Sequence, residues 1–124
     1  MRVVAVGIGG AVGSMLRYVL SGLVQRSLVS FPLGTLCVNV FGCLAIGFLG
    51  ERMTGAAVDP AYRAGMLIGV LGGFTTFSTF AYESLKLAEE REFGLAALNV
   101  TASIASCLAA AWMGQRLAKW WGMS

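Results

Sequence analysis

The chain has 124 residues; 57% are hydrophobic and only 12% charged, with nine Lys+Arg, six Asp+Glu and no histidine. A soluble domain carries about 25% charged residues, so this composition excludes a soluble enzyme, a nucleic-acid reader and a disordered tail. It also excludes histidine chemistry of every kind, from metal ligation to a proton relay. Residues 31–50, 64–82 and 93–115 are uncharged, and each run reaches the roughly 18–20 residues that cross a bilayer as a helix.

The first span is expected over about 3–24 and contains Arg17. Its apolar stretch lacks a small-x-small cleavage site and precedes further spans, so it reads as a retained helix rather than a signal peptide. A polar link follows at 25–30, and Pro32 suits the first turn of a second span over about 33–50. Residues 51–59 form a polar loop before Pro60, which opens a third span over about 61–85. The charged connector 86–92 leads to a fourth span over about 94–117, which exits through Arg116, Lys119, Trp120 and Trp121, an interfacial anchor. Short connectors make successive helices antiparallel neighbours. The expectation is an all-α membrane protein with a single four-helix domain over 1–124. The cationic residues divide almost evenly between the two sides, so the positive-inside rule leaves insertion in both orientations open.

Glycine, at 17 residues, is about twice its average usage of ~7%. Gly9 and Gly13, Gly65 and Gly69, and Gly69 and Gly73 are spaced four apart, which puts each pair on one helix face for close packing. Cys37, Cys43 and Cys107 lie within apolar runs and read as small buried residues rather than disulfides.

Polar groups within spans are the best pointers to function. The densest set is Gly72-Gly73-Phe74-Thr75-Thr76-Phe77-Ser78-Thr79-Phe80. It is a poor helix former, and the third helix is expected to break there. A break frees backbone groups at membrane depth, which is tolerated only where they are buried in protein or line a cavity. Free carbonyls suit a hard cation, and free amides and hydroxyls suit a small anion. The alternative is a kink with Ser/Thr back-bonding to the preceding turn. Phe77 and Phe80 share a face, and their ring edges are electropositive; ordinary packing is the other reading. Thr35, Asn39 and Cys43 recur every fourth residue in the second span, and the fourth repeats the pattern with Asn99, Ser103 and Ser106 on one face and Cys107 next to it. Such stripes serve either as interhelical glue or as a polar pathway. Arg17 either snorkels to the interface or attracts anions at a vestibule. The carboxylates read as lying in loops or at or beyond the end of the third span, with none at mid-membrane, which disfavours a proton-driven antiporter.

Gly9-Gly10-Ala11-Val12-Gly13-Ser14-Met15-Leu16-Arg17-Tyr18, Gly34-Thr35-Leu36-Cys37-Val38-Asn39-Val40-Phe41-Gly42 and the 72–80 segment together resemble the signatures of the Fluc (CrcB) fluoride channels. The resemblance implies a four-helix subunit in an antiparallel, dual-topology homodimer in the cell inner (plasma) membrane. It implies passive export of fluoride, with no organic cofactor and no nucleic-acid partner. A structural sodium ion would be held at the dimer interface by the carbonyls of Gly72 and Thr75. The fluoride pathway would be lined by Asn39, Phe77, Ser78, Thr79, Phe80, Asn99, Ser103 and Cys107. Arg17 and Thr35 would stand at a vestibule or dimer contact. Two other readings are a small multidrug-type proton-coupled exporter, which needs an embedded carboxylate, and a non-transporting assembly subunit with Gly-rich faces.

Overall fold

A computed structural model describes residues 1–26 and 30–122. The expected link at 25–30 falls partly on Ser27, Leu28 and Val29, outside the described residues. Four helical stretches are long and apolar enough to cross a membrane: Arg2–Gln25, Leu33–Met53, Pro60–Glu89 and Phe93–Trp121. The expected spans are therefore present, each extended at one or both ends. We number the helices α1 (Arg2–Gln25), α2 (Leu33–Met53), α3 (Pro60–Ala64), α4 (Gly72–Phe74), α5 (Phe77–Glu89) and α6 (Phe93–Trp121). A π-helical turn, Gly65–Leu71, joins α3 to α4, so the third span is built from four pieces.

Local chemistry sets the boundaries. The Gln25 amide at the end of α1 donates to the Phe31 carbonyl at 3.1 Å. Its carbonyl accepts from the Gly34 amide at 3.1 Å, so one side chain brackets the start of α2. Asp59 caps α3 by accepting from the amides of Ala61 and Tyr62, with Pro60 in the first helical position, where its missing N–H costs nothing. Past the end of α5, Arg91 takes a left-handed φ of 64°, and the Glu92 amide turns back to the Leu87 carbonyl at 2.9 Å. This reversal aims α6 back across the bundle.

Two close helix pairs organise the packing. α1 lies against the π-helical turn and α4. A Cβ on Gly9 would collide with the Gly65 carbonyl oxygen, and one on Gly13 with that of Val70. The small-residue face read from the sequence thus meets backbone directly, as membrane helices require in the absence of a hydrophobic drive between them. α2 and α6 form the most extensive pairing. Gly47 abuts the Ala111 carbonyl, and Gly114 abuts Leu44 and Phe48. Further along, Glu51 meets Lys119 at 3.8 Å, and Arg52 reaches Gly122. Residue numbers rise together along both helices, so the second and fourth spans run parallel.

Candidate functional site: a broken helix and its polar surroundings

The third span breaks at Thr75 and Thr76. Both leave the helical region, with φ/ψ of −82°/157° and −151°/114°. The Thr76 amide, which would bond the Gly72 carbonyl in a continuous helix, donates instead to Asn39 Oδ1 at 2.8 Å. Asn39 Nδ2 in turn donates to the Thr76 carbonyl at 3.0 Å. One side-chain amide from α2 therefore satisfies both backbone groups of the extended residue. Arg17 Nη1 donates to the Thr75 carbonyl at 3.3 Å, so its guanidinium caps the break from α1.

The helix restarts through Thr76, whose hydroxyl accepts from the Thr79 amide at 3.2 Å and donates to Thr79 Oγ1 at 2.9 Å. Ser78 Oγ lies 3.3 Å from the same hydroxyl. Three hydroxyls thus gather at the start of α5. The back-bonding alternative is also realised at one residue: Thr75 Oγ1 donates to the Leu71 carbonyl at 2.9 Å.

A cavity of about 330 Å³ opens beside this cluster, lined by Arg17, Ser21, Thr35, Thr76 and Thr79 among others. A larger one of about 640 Å³ shares Ser21 and Thr35 with it and continues to Glu83, Lys86 and Glu90. Glu83 corrects the sequence reading of the acids. It lies inside α5, well before that helix ends at Glu89, and its Oε1 accepts from Thr35 Oγ1 at 2.8 Å. Its Oε2 is buried with no hydrogen-bond partner among the described residues. The signal was present in the spacing, since Glu83 follows Phe80 by three residues and so shares its face.

The aromatic pair divides. The Phe77 and Phe80 ring centroids are 5.3 Å apart, but Phe80 is 8% exposed and Phe77 78%. The fourth-span stripe is more internal than the second. Asn99, 2% exposed, donates to Ser84 Oγ at 2.9 Å, and Ser84 donates to the Phe80 carbonyl at 2.8 Å. Ser103 Oγ reaches Asn99 Oδ1 at 3.5 Å. This chain of hydroxyls and amide ties α6 to α5; Ser84 was not singled out from the sequence. Cys43 and Cys107 each stand one turn before the Gly47–Ala111 contact between α2 and α6.

The Gly72 carbonyl, at the start of α4, loses the Thr76 amide as its helical partner, and Thr75 is extended; carbonyls freed at a helix break are the kind that hold sodium in membrane proteins. The Thr75 carbonyl has two lone pairs, and Arg17 occupies one. Carbonyl oxygen is a donor type that suits a hard cation.

Fold and site together define a small multi-pass membrane protein whose interrupted helix adjoins cavities lined in part by polar side chains, an architecture suited to moving small ions. Comparison makes the assignment specific. The model of the family described as CrcB-like protein, Camphor Resistance (CrcB), matches residues 4–115. A fluoride-specific ion channel FluC of Geobacter sulfurreducens is 47% identical over 90% of this chain and 92% of its own. That of Geobacter metallireducens is 46% identical, over 92% and 94%. That of Nitratidesulfovibrio vulgaris (Miyazaki F) is 46% identical, over 91% and 93%. The chain belongs to the CrcB family, whose named members here are ion channels, and it is not an enzyme.

Proposed function

We propose that this chain forms a fluoride-selective channel that exports the anion passively from the cytoplasm and so lowers its toxicity. The observation that carries the reading is the third-helix break held by Asn39 and Arg17 beside a cluster of hydroxyls. The FluC names of the relatives support the choice of ion.

Fluoride is small and strongly hydrated, so a pore must replace its water with donors. Ser78 and Thr79 hydroxyls, the Asn39 amide and the edges of the Phe77 and Phe80 rings supply these along a proposed path that Asn99, Ser103 and Cys107 continue. Arg17 raises the local anion concentration from the cavity wall, while the absence of a lysine or arginine among these path residues avoids a trap. Fluoride enters a cell from acidic surroundings as neutral HF and is held inside as the anion. A passive leak for the anion therefore protects the cell.

The working unit is proposed as an antiparallel homodimer in the plasma membrane. Phe77 supports this, because a ring 78% exposed on one chain lines a path only when a second surface closes over it. In that dimer a structural sodium ion would be held by the Gly72 and Thr75 carbonyls of both copies, supplying fixed positive charge between the two breaks.

Glu83 keeps the proton-coupled exporter as the competing reading, since it is the embedded carboxylate such a protein needs. Purified protein reconstituted in liposomes separates the two. The channel reading expects fluoride efflux that needs no imposed proton gradient. Efflux of an aromatic cation driven by such a gradient would overturn it.

A further inference from the structure

We propose that Cys43 and Cys107 form a two-thiol site for a thiophilic divalent cation of linear, two-coordinate habit, with the mercuric ion as its probe. The helix register brings the two cysteines together. α2 and α6 run parallel, and Gly47 touches Ala111. One turn back along each helix stand Cys43 and Cys107, on the faces that the Gly47–Ala111 contact turns toward each other. The absence of side chains at Gly47 and Gly114 brings the two backbones close enough for this. Both cysteines are free and half-buried, so a small ion can reach them. Cys37 is six residues from Cys43, on a different face of α2.

Ligand count selects the metal. Thiolate sulfur prefers soft ions. A structural zinc site takes four ligands, but the chain has no histidine, and no group of three or more His, Cys, Asp or Glu gathers among the described residues. Two sulfurs alone suit a linear ion. Charge selects the valence: two thiols release two protons and bind one divalent cation, giving a neutral (RS)₂M unit. A monovalent ion would leave a net negative charge in a low-dielectric setting, where an uncompensated charge is costly. No electron is transferred in this exchange.

The pair also continues the stripes of Asn39 and Ser103, so a bound ion would sit on the proposed pathway. That consequence rests on the channel reading, whereas binding itself does not. The test titrates the purified full-length protein with mercuric chloride against a competing monothiol, with bound metal read by native mass spectrometry. The unmodified chain and Cys37→Ser should each hold one ion per chain. Cys43→Ser and Cys107→Ser should bind about a hundredfold more weakly, because the second sulfur no longer acts at high effective concentration. Equal binding by either of these variants and the unmodified chain, or loss in Cys37→Ser alone, would overturn the site. A short bifunctional thiol reagent applied to the unmodified protein gives a check that needs no variant: digestion should recover the Cys43 and Cys107 peptides joined, and their recovery only as singly modified peptides would contradict the pairing. In liposomes, mercuric ion should stop fluoride efflux through the unmodified chain and through Cys37→Ser, whereas the fraction of its own untreated efflux that Cys107→Ser loses to mercuric ion should be far smaller. Metal bound at the pair with efflux unaffected would preserve the site and refute its place on the pathway.

Discussion

Asn39 is the residue on which the break depends most. Its amide meets both backbone groups of Thr76, and a buried group left unpaired costs about 1–3 kcal/mol. Asn39→Ala should therefore lower thermal stability and reduce fluoride efflux together. Asn39→Asp keeps the acceptor for the Thr76 amide but loses the donor and adds negative charge beside an anion path, so efflux should fall further than stability. Phe80→Ile removes a ring edge whose favourable contacts are worth about 0.5–1.5 kcal/mol. Its efflux should drop by up to about tenfold, read as the initial rate in liposomes, and an unchanged rate would remove that ring from the mechanism. Asn39 and the Thr/Ser cluster stood out in the sequence because a polar residue in an apolar run needs a reason. Glu83 did not, because it read with Glu89, Glu90 and Glu92 as one cluster at or beyond the end of the third span. Only folding α5 against α2 brings it to Thr35.

At the level of elements, the glycines carry the fold. A Cβ at Gly13 or Gly47 meets a backbone carbonyl, which cannot move aside as a flexible side chain would. Gly13→Val and Gly47→Val should each yield protein that aggregates on size-exclusion chromatography. Gly22→Ala, where a Cβ meets nothing within 4 Å, should remain monodisperse, helped by alanine's better helix propensity of about 1 kcal/mol. The uncharged apolar runs and the placement of Pro32 and Pro60 made the four spans legible, because composition and helix starters act locally. The π-helical turn Gly65–Leu71 was not legible, since its residues would also suit an ordinary α-helix. The parallel register of α2 and α6 was equally hidden: each polar stripe can be read from one helix, but their alignment depends on how Gly47 and Gly114 seat.

The whole molecule, as one chain, leaves Phe77 uncovered. The proposed dimer would cover that ring and would bring the Gly72 and Thr75 carbonyls proposed for sodium together from two copies. Replacing sodium throughout by a bulky organic cation should lower the melting temperature of the reconstituted protein and slow efflux, with recovery when sodium is restored; indifference to sodium would remove the ion from the account. Through the proposed dimer, fluoride conduction is selective and passive. Its most direct test loads liposomes containing the purified chain with equal fluoride and chloride and follows each anion with its own electrode, with potassium and a potassium ionophore balancing charge. Rapid fluoride release is expected while chloride stays inside. Chloride leaving at a comparable rate, or fluoride held back unless a proton gradient is imposed, would contradict it.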